Sequence, residues 1–324
     1  MKVIAKRIFC GGIDVGGTKI ASALFTKDGK MTSREKVPIE KGAADKPARQ
    51  IIRIIHRLAA EARKRNGEIK AIGICIPGVV FQKSGLVWAP NISGWDHFPL
   101  RKMLREKTRI PLVLDSDRSA YVLGEQWRGV ARGKTDVVFL AVGTGIGAGI
   151  LAGGRLVRGS EDIAGAVGWF ALNPYPKPEY AEIGCFEAEA SGASLGRKAR
   201  RLIKAGAPSI MKKLSKGNIE NITAETVVSA AKAGDRLARF LIDSTVSYLA
   251  MGIANIVSIL NPDMVVLGGG LFQAGELLLR PIRVEFKKWA QPLAAKKVKI
   301  ELSLLGENTG LYGAGKLAWD SIEA

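Results

Sequence analysis

The chain has 324 residues, 47% hydrophobic and 6% aromatic, with 49 Lys+Arg against 30 Asp+Glu for a formal charge of +19. That length buries a sizeable core and makes two domains the natural division, while the apolar runs are too short to span a bilayer. Three cysteines, Cys10, Cys75 and Cys185, give no disulfide framework, and the basic residues are dispersed over helix faces (Arg53, Arg57, Arg63, Lys64, Arg65) rather than interleaved with aromatics, which favours a solvated surface over a nucleic-acid site.

The opening Met1–Arg7 is basic, but Gly11, Gly12 and Asp14 interrupt the apolar segment behind it, so it reads as a poor signal peptide and a good first strand. A cytoplasmic protein is expected, with neither membrane nor nucleic acid as partner. Residues 6–13 and 20–26 read as a hairpin around a glycine turn, with Lys27-Asp28-Gly29-Lys30 as the next turn. Residues 46–65 carry Ile51, Ile52, Ile55, Leu58, Ala59 and Ala62 at helical spacing. A strand over 69–76 ends at Pro77-Gly78, a helix covers 99–107, and a short strand covers 111–114.

A second set begins near Asp115, with a helix over 119–128 and strands over 137–142 and 148–152. A loop-rich region with three prolines runs from Leu156 to about Ser191. Helices follow over 196–205, 223–232 and 235–260, the last stopped at Asn261-Pro262-Asp263. A buried strand over 264–267 leads into Gly268-Gly269-Gly270, and a strand over 298–303 precedes a final helix over 308–321 that packs back on the first domain. The expected fold is α/β. Two related domains flank a cleft, one of residues 1–115 plus 308–324 and a larger one of residues 116–307.

Two glycine turns stand out because each leaves an apolar run: Ile13-Asp14-Val15-Gly16-Gly17-Thr18-Lys19 and Gly143-Thr144-Gly145-Ile146-Gly147-Ala148-Gly149. Without a Cβ, successive backbone N–H groups form a phosphate-sized nest. Two nests, each with a threonine, suit one polyphosphate gripped from two sides. Phosphoryl transfer needs such cradles, a metal anchor and a base aimed at the acceptor hydroxyl. Asp14 is placed to hold Mg²⁺ beside the first cradle. Leu114-Asp115-Ser116-Asp117-Arg118 supplies the base; spacing alone leaves open whether Asp115 or Asp117 is that base or a helix cap.

These residues resemble the ROK family of sugar kinases, within the actin-like ATPase superfamily. The resemblance covers nearly the whole chain and rests on residues 13–19, Gly73-Ile74-Cys75-Ile76-Pro77-Gly78, Ala89-Pro90-Asn91-Ile92-Ser93-Gly94-Trp95, Ser116-Asp117, Leu123-Gly124-Glu125, residues 143–149, residues 185–192 and residues 261–270. With no helix-turn-helix before the first strand, the chain is similar to the family's kinases rather than its repressors. The resemblance implies two actin-like, ribonuclease H-like domains, ATP and Mg²⁺ as cofactors, Asp117 as catalytic base and Asp14 serving the metal. Gly16, Gly17, Thr18, Lys19, Thr144 and Gly145 would hold phosphates, with Gly268, Gly269 and Gly270 near the adenosine. Pro77, Gly78, Asn91, Asp117 and Glu187 would face the acceptor, joined in this chain by Ser116 and Trp169. It also implies a homodimer or homotetramer and phosphorylation of a C6-type hydroxyl.

The departures bear on the substrate. The family's Asn before the catalytic Asp is Ser116 here. Its Gly-Glu-x-Gly-His segment reads Gly165-Ala166-Val167-Gly168-Trp169, and of its three zinc-loop cysteines only Cys185 remains. The two histidines, His56 and His97, lie elsewhere, so no zinc is expected, and Asn173–Pro178 stiffens the loop instead. A site stripped of hydroxyl partners discriminates plain glucose poorly. The expected acceptor is a modified, amino or deoxy sugar, or a cyclitol, stacking on Trp169, unless that ring only fills the vacated zinc-loop volume. A regulatory or sugar-sensing protein that keeps the ATP fold is the alternative, an ordinary glucokinase the second; a nucleic-acid-associated ATPase rests on charge alone.

Overall fold

The computed structural model describes residues 6–323; the reading of Met1–Ala5 as a poor signal peptide lies outside them. Three antiparallel strands open the chain: β1 (Arg7–Val15), β2 (Lys19–Phe25) and β3 (Met31–Pro38). Helix α1 (Asp45–Lys64) then returns the chain to β4 (Gly67–Ile76), parallel to β1. A strap follows, holding the short ribbon β5 (Val79–Val80) and β6 (Val87–Trp88) and helix α2 (Leu100–Arg105). Strand β7 (Leu112–Ser116) joins parallel to β4, giving the order β3-β2-β1-β4-β7, and runs into α3 (Asp117–Arg128).

The second half repeats the plan. Strands β8 (Val137–Val142), β9 (Ile146–Ala152) and β10 (Arg155–Leu156) form the antiparallel part. A long excursion carries α4 (Tyr180–Ile183), α5 (Cys185–Ala190), α6 (Gly192–Lys204), α7 (Met211–Leu214), α8 (Ala224–Lys232) and α9 (Arg236–Leu260). Strand β11 (Met264–Gly268) pairs parallel with β8; then come α10 (Glu276–Phe286), α11 (Pro292–Ala295), β12 (Lys299–Leu302) parallel to β11, and α12 (Thr309–Glu323). The order β10-β9-β8-β11-β12 matches the first sheet strand for strand, with the same parallel and antiparallel neighbours.

The sequence explains most of this locally. Ile51, Ile54, Ile55, Leu58 and Ala62 put one stripe of α1 into the first core. Each buried isoleucine or leucine contributes roughly 1.5–3 kcal/mol by leaving water. Asp235 caps α9 by accepting the Ala238 N–H, and Asn261, left-handed at φ 43°, closes it. Contrary to the reading of the apolar runs, α9 is long and apolar enough to cross a membrane. One face of it, Leu241, Ile242, Val246, Leu249, Ile253, Ile256 and Val257, is buried instead in the second core, with β8, α6, α8 and α10, while Phe240 is exposed.

Several elements depart from the expected pattern. Strand β3 was not expected, because it is an edge strand with no fully buried residue and polar residues on both faces. The expected loop over residues 156–191 contains α4 and α5. Helix α6 starts at Gly192 because Ser191 caps it by accepting the Ser194 N–H. Helix α10 went unread because Pro281 breaks its pattern, although Leu278, Leu279, Ile282 and Phe286 are buried.

Helices α3 and α12 lie between the two sheets. The α12 side chains Leu311, Ala318 and Trp319 pack with Cys10, Ala23, Phe25 and Ala71 of the first sheet, while Val122 and Leu123 of α3 pack on Phe139 and Leu151 of the second. The helices meet backbone to backbone: a Cβ on Gly313 would lie 1.7 Å from the Ala120 carbonyl oxygen, and one on Gly124 2.4 Å from that of Thr309. Buried Glu125 accepts from the Ser303 hydroxyl at 2.6 Å and the Leu305 N–H at 3.1 Å, fixing the approach to α12.

Candidate active site

In both sheets the parallel strands end at one cavity of about 1180 Å³. Asp14 near the end of β1, Gly78 just past β4 and Asp117 just past β7 line it from the first sheet; residues 143–147 past β8 and 268–270 past β11 line it from the second. Ligands of open α/β sheets bind at this end of the strands.

Of the neighbouring acids, Asp115 is 4% exposed and paired with Arg158, whose Nη2 stands 2.6 Å from its Oδ2. Asp115 is thus neutralised inside the protein and does not line the cavity. The cap of α3 belongs to neither Asp115 nor Asp117: Ser116 Oγ accepts the Ser119 N–H at 3.1 Å. Asp117 lines the cavity, accepting the Arg118 N–H at 2.8 Å and the Tyr121 hydroxyl at 3.2 Å. Burial pushes its carboxyl up to about 6; Arg118 opposes and Asp14 reinforces the rise. Burial also raises Asp14, whose Oδ1 accepts the Cys75 thiol at 3.2 Å. Among the described residues neither Asp14 nor Asp117 has an ion-pair partner. Two carboxylates raised by burial in one cavity, without ion-pair partners among the described residues, fit a divalent cation held by one or two carboxylates.

The second and third glycine turns face each other across β8 and β11. The nearest atom to a Cβ on Gly143 would be the Gly270 backbone nitrogen, 3.8 Å away, and a Cβ on Gly270 would meet nothing within 4 Å. Gly269 is left-handed at φ 97°, and a Cβ there would sit 2.4 Å from the Val142 carbonyl oxygen, so glycine is required. Exposed Thr144 stands beside this open backbone, which fits a polyphosphate. Glu187 supports the turn from below: its Oε2 accepts the Ile146 N–H at 2.7 Å, and burial raises its carboxyl.

Other sequence-chosen residues take different positions. Gly16, Gly17, Thr18 and Lys19 form the tip of the β1–β2 hairpin and, like Pro77 and Ser116, are not among the lining residues; Gly17 packs on Asn91, which is. Trp169, 57% exposed, and Ala166 line the cleft. Sequence reasoning missed Phe81, Trp88, Asp96, His97, Arg118, Tyr121 and Ile163, all lining residues without a motif to mark them.

Where the resemblance places a zinc loop, Cys185 is buried at the start of α5. Among the described residues no group of three or more His, Cys, Asp or Glu is placed to hold a metal ion. Nearby Glu189, 3% exposed, takes hydrogen bonds from Lys177, Lys198 and Tyr180. Burial opposes its charge, but these donors prevail and hold the carboxyl at about 2. This cluster fastens the proline-rich loop to α5 and α6.

A ROK family model matches residues 10–321. The chain is similar to the glucokinase of Thermotoga maritima, 33% identical over 96% of this chain and 97% of that one. It is 32% identical to the glucokinase of Halalkalibacterium halodurans, over 94% of this chain and 93% of that one. Among solved structures, a ROK family glucokinase from Streptomyces griseus in complex with glucose and AMPPNP superposes with a TM-score of 0.76 at 30% identity, covering 96% of this chain and 99% of that one. The chain belongs to the ROK family and is an ATP-dependent sugar kinase with two actin-like α/β domains.

Proposed function

We propose that the enzyme transfers phosphate from ATP to a C6-type hydroxyl of a modified sugar, amino sugar, deoxy sugar or cyclitol rather than plain glucose. The observation that carries the reading is the pair of carboxylates raised by burial, Asp14 and Asp117, opposite open glycine turns in one cavity. Asp117 takes the acceptor proton. Its pKa of about 6 leaves it ionised at neutral pH yet basic enough to share that proton. Tyr121 and the Arg118 N–H hold its two oxygens in place. Gly143–Gly147, Thr144 and Gly268–Gly270 receive the nucleotide, and Gly16–Lys19 cover the phosphates from the other side. Asp14 holds Mg²⁺ directly or through water; the metal, when bound, neutralises charge developing on the phosphoryl oxygens.

The acceptor assignment rests on Ala166 and Trp169. Ala166 accepts no hydrogen bond, and Trp169 offers a face and a single N–H. Asn91, Gly78 and Glu187 complete the polar side. Among the described residues, we assign 6–115 plus 308–323 to one domain and 116–307 to the other.

The test is ATP consumption over a panel of hexoses, amino sugars, deoxy sugars and cyclitols, with Asp117→Asn as control. The expected result is a substrate-dependent signal on a modified sugar or cyclitol, weak on glucose and lost in the variant. Glucose turnover equal to the best substrate overturns the acceptor assignment. ATP binding with no turnover on any acceptor favours a regulatory protein.

A further inference from the structure

The strap between β4 and α2 is more elaborate than one sugar ring requires. Phe81 and His97 stack with centroids 5.4 Å apart and planes 7° from parallel. His97 is left-handed at φ 51°, a conformation a non-glycine residue holds only when its surroundings enforce it. Its Nδ1 lies 2.8 Å from Asp96 Oδ1. Trp88, 41% exposed, lines the same cleft, as do Phe81, Asn91, Asp96 and His97.

The platform is braced from below and from the side. Beneath it, Trp95 stacks on Phe98 and donates its indole N–H to the Ala44 carbonyl at 2.8 Å. Beside it, the Gln82 N–H reaches Asp162 at 2.8 Å, its amide donates to the Leu114 carbonyl at 2.9 Å, and Arg101 donates to its side-chain and main-chain oxygens. The cavity of about 1180 Å³ is continuous from this strap past Asp117 to the glycine turns.

Aromatic faces edged by the Asp96 carboxylate and the His97 ring nitrogens match a pyranose ring, with its apolar C–H face and rim of hydroxyls. An acyl chain has no use for the polar edge, and Asp96 repels an anion. We infer that the strap is a second sugar subsite, so that the acceptor is a disaccharide or glycoside whose non-reacting ring stacks on Phe81, His97 and Trp88 while the other presents its hydroxyl to Asp117. This rests on the kinase reading above.

The test compares kcat/KM for hexoses with that for disaccharides of several linkages and for aryl glycosides, in the native enzyme and in His97→Gly. Glycine accepts the left-handed backbone, so this variant removes the ring without straining the fold. At least one disaccharide or glycoside is expected to exceed its parent hexose. In the variant its advantage over the hexose falls by roughly tenfold, as the loss of a stacked ring implies. Phe81→Ala provides a second variant. Calorimetric binding of the saccharide without ATP reads the subsite even if no phosphate moves, which separates failure of this inference from failure of the kinase reading. A preference for bare hexoses in both turnover and binding, or an equal loss for both acceptor classes, overturns it.

Discussion

Replacing Asp117 by Asn should abolish activity and stabilise the protein, an uncommon pairing that follows from its setting. The side chain keeps its shape and one oxygen to accept the Arg118 N–H, but it no longer takes a proton. Loss of a general base lowers kcat by roughly 10²–10⁴. The native enzyme should show an acid limb of unit slope centred near pH 6, with kcat/KM at pH 5 falling to about a tenth of its plateau. The stability effect has the opposite sign. A carboxyl raised from 3.8 to about 6 binds its proton more tightly folded than unfolded, so it favours the fold at low pH. That contribution is lost as pH rises from about 4 through 6. At pH 7 to 8 the ionised group destabilises the fold by up to about 3 kcal/mol, less as water reaches the half-buried carboxylate. Asn lacks the charge, so its Tm at pH 7.5 without ligands should exceed the native value, and the two should converge near pH 4. Paired pH–rate profiles and thermal melts are the assay. A variant with more than a tenth of native activity, or one whose Tm falls at pH 7.5, refutes the assignment of Asp117 as a base kept under electrostatic strain.

Arg158→Ala leaves Asp115 charged, buried and alone; it should cost about 3–5 kcal/mol by denaturant titration, and Asp115→Asn in the same chain should recover much of it. Glu189→Ala strands Lys177 and Lys198 and should lower stability by a similar roughly 3–5 kcal/mol. Because that cluster holds the loop, exhaustive chelation should leave the Tm of the nucleotide-free enzyme unchanged while stopping turnover; a large chelator-induced drop in Tm contradicts it. Gly310→Ala puts a methyl 2.6 Å from Asp14 Oδ2. It should raise the Mg²⁺ concentration needed for half-maximal rate, and an unchanged requirement would show that Asp14 does not serve the metal.

The glycine turns were legible because each breaks an apolar run with residues of one special conformational freedom. The choice between Asp115 and Asp117 was not, because it turns on Arg158, 43 positions along the chain from Asp115. Only that partner marks Asp115 as the neutralised acid. The cap fell to the serine between them, whose side chain points back along α3. The aromatic strap escaped notice because Phe81 and His97 meet through a chain reversal that leaves no periodic trace. Helix α10 and strand β3 were hidden for opposite reasons: one carries a proline that its surroundings tolerate, the other is an edge strand whose residues, none fully buried, leave no apolar alternation.

The glycine crossing of α3 and α12 has a mechanical consequence. At the glycines the helices touch backbone to backbone, which resists turning less than interlocked side chains do, and the Trp127–Tyr312 ring contact flanks that point. The crossing lies between the sheets, where an axle for any motion of one half against the other would sit. Asp117 heads one of these helices, and Asp14 packs against Gly310 in the first turn of the other. Points near an axle move little. The outer walls can therefore swing apart to admit a sugar and a nucleotide while the two acids stay nearly the same distance from each other.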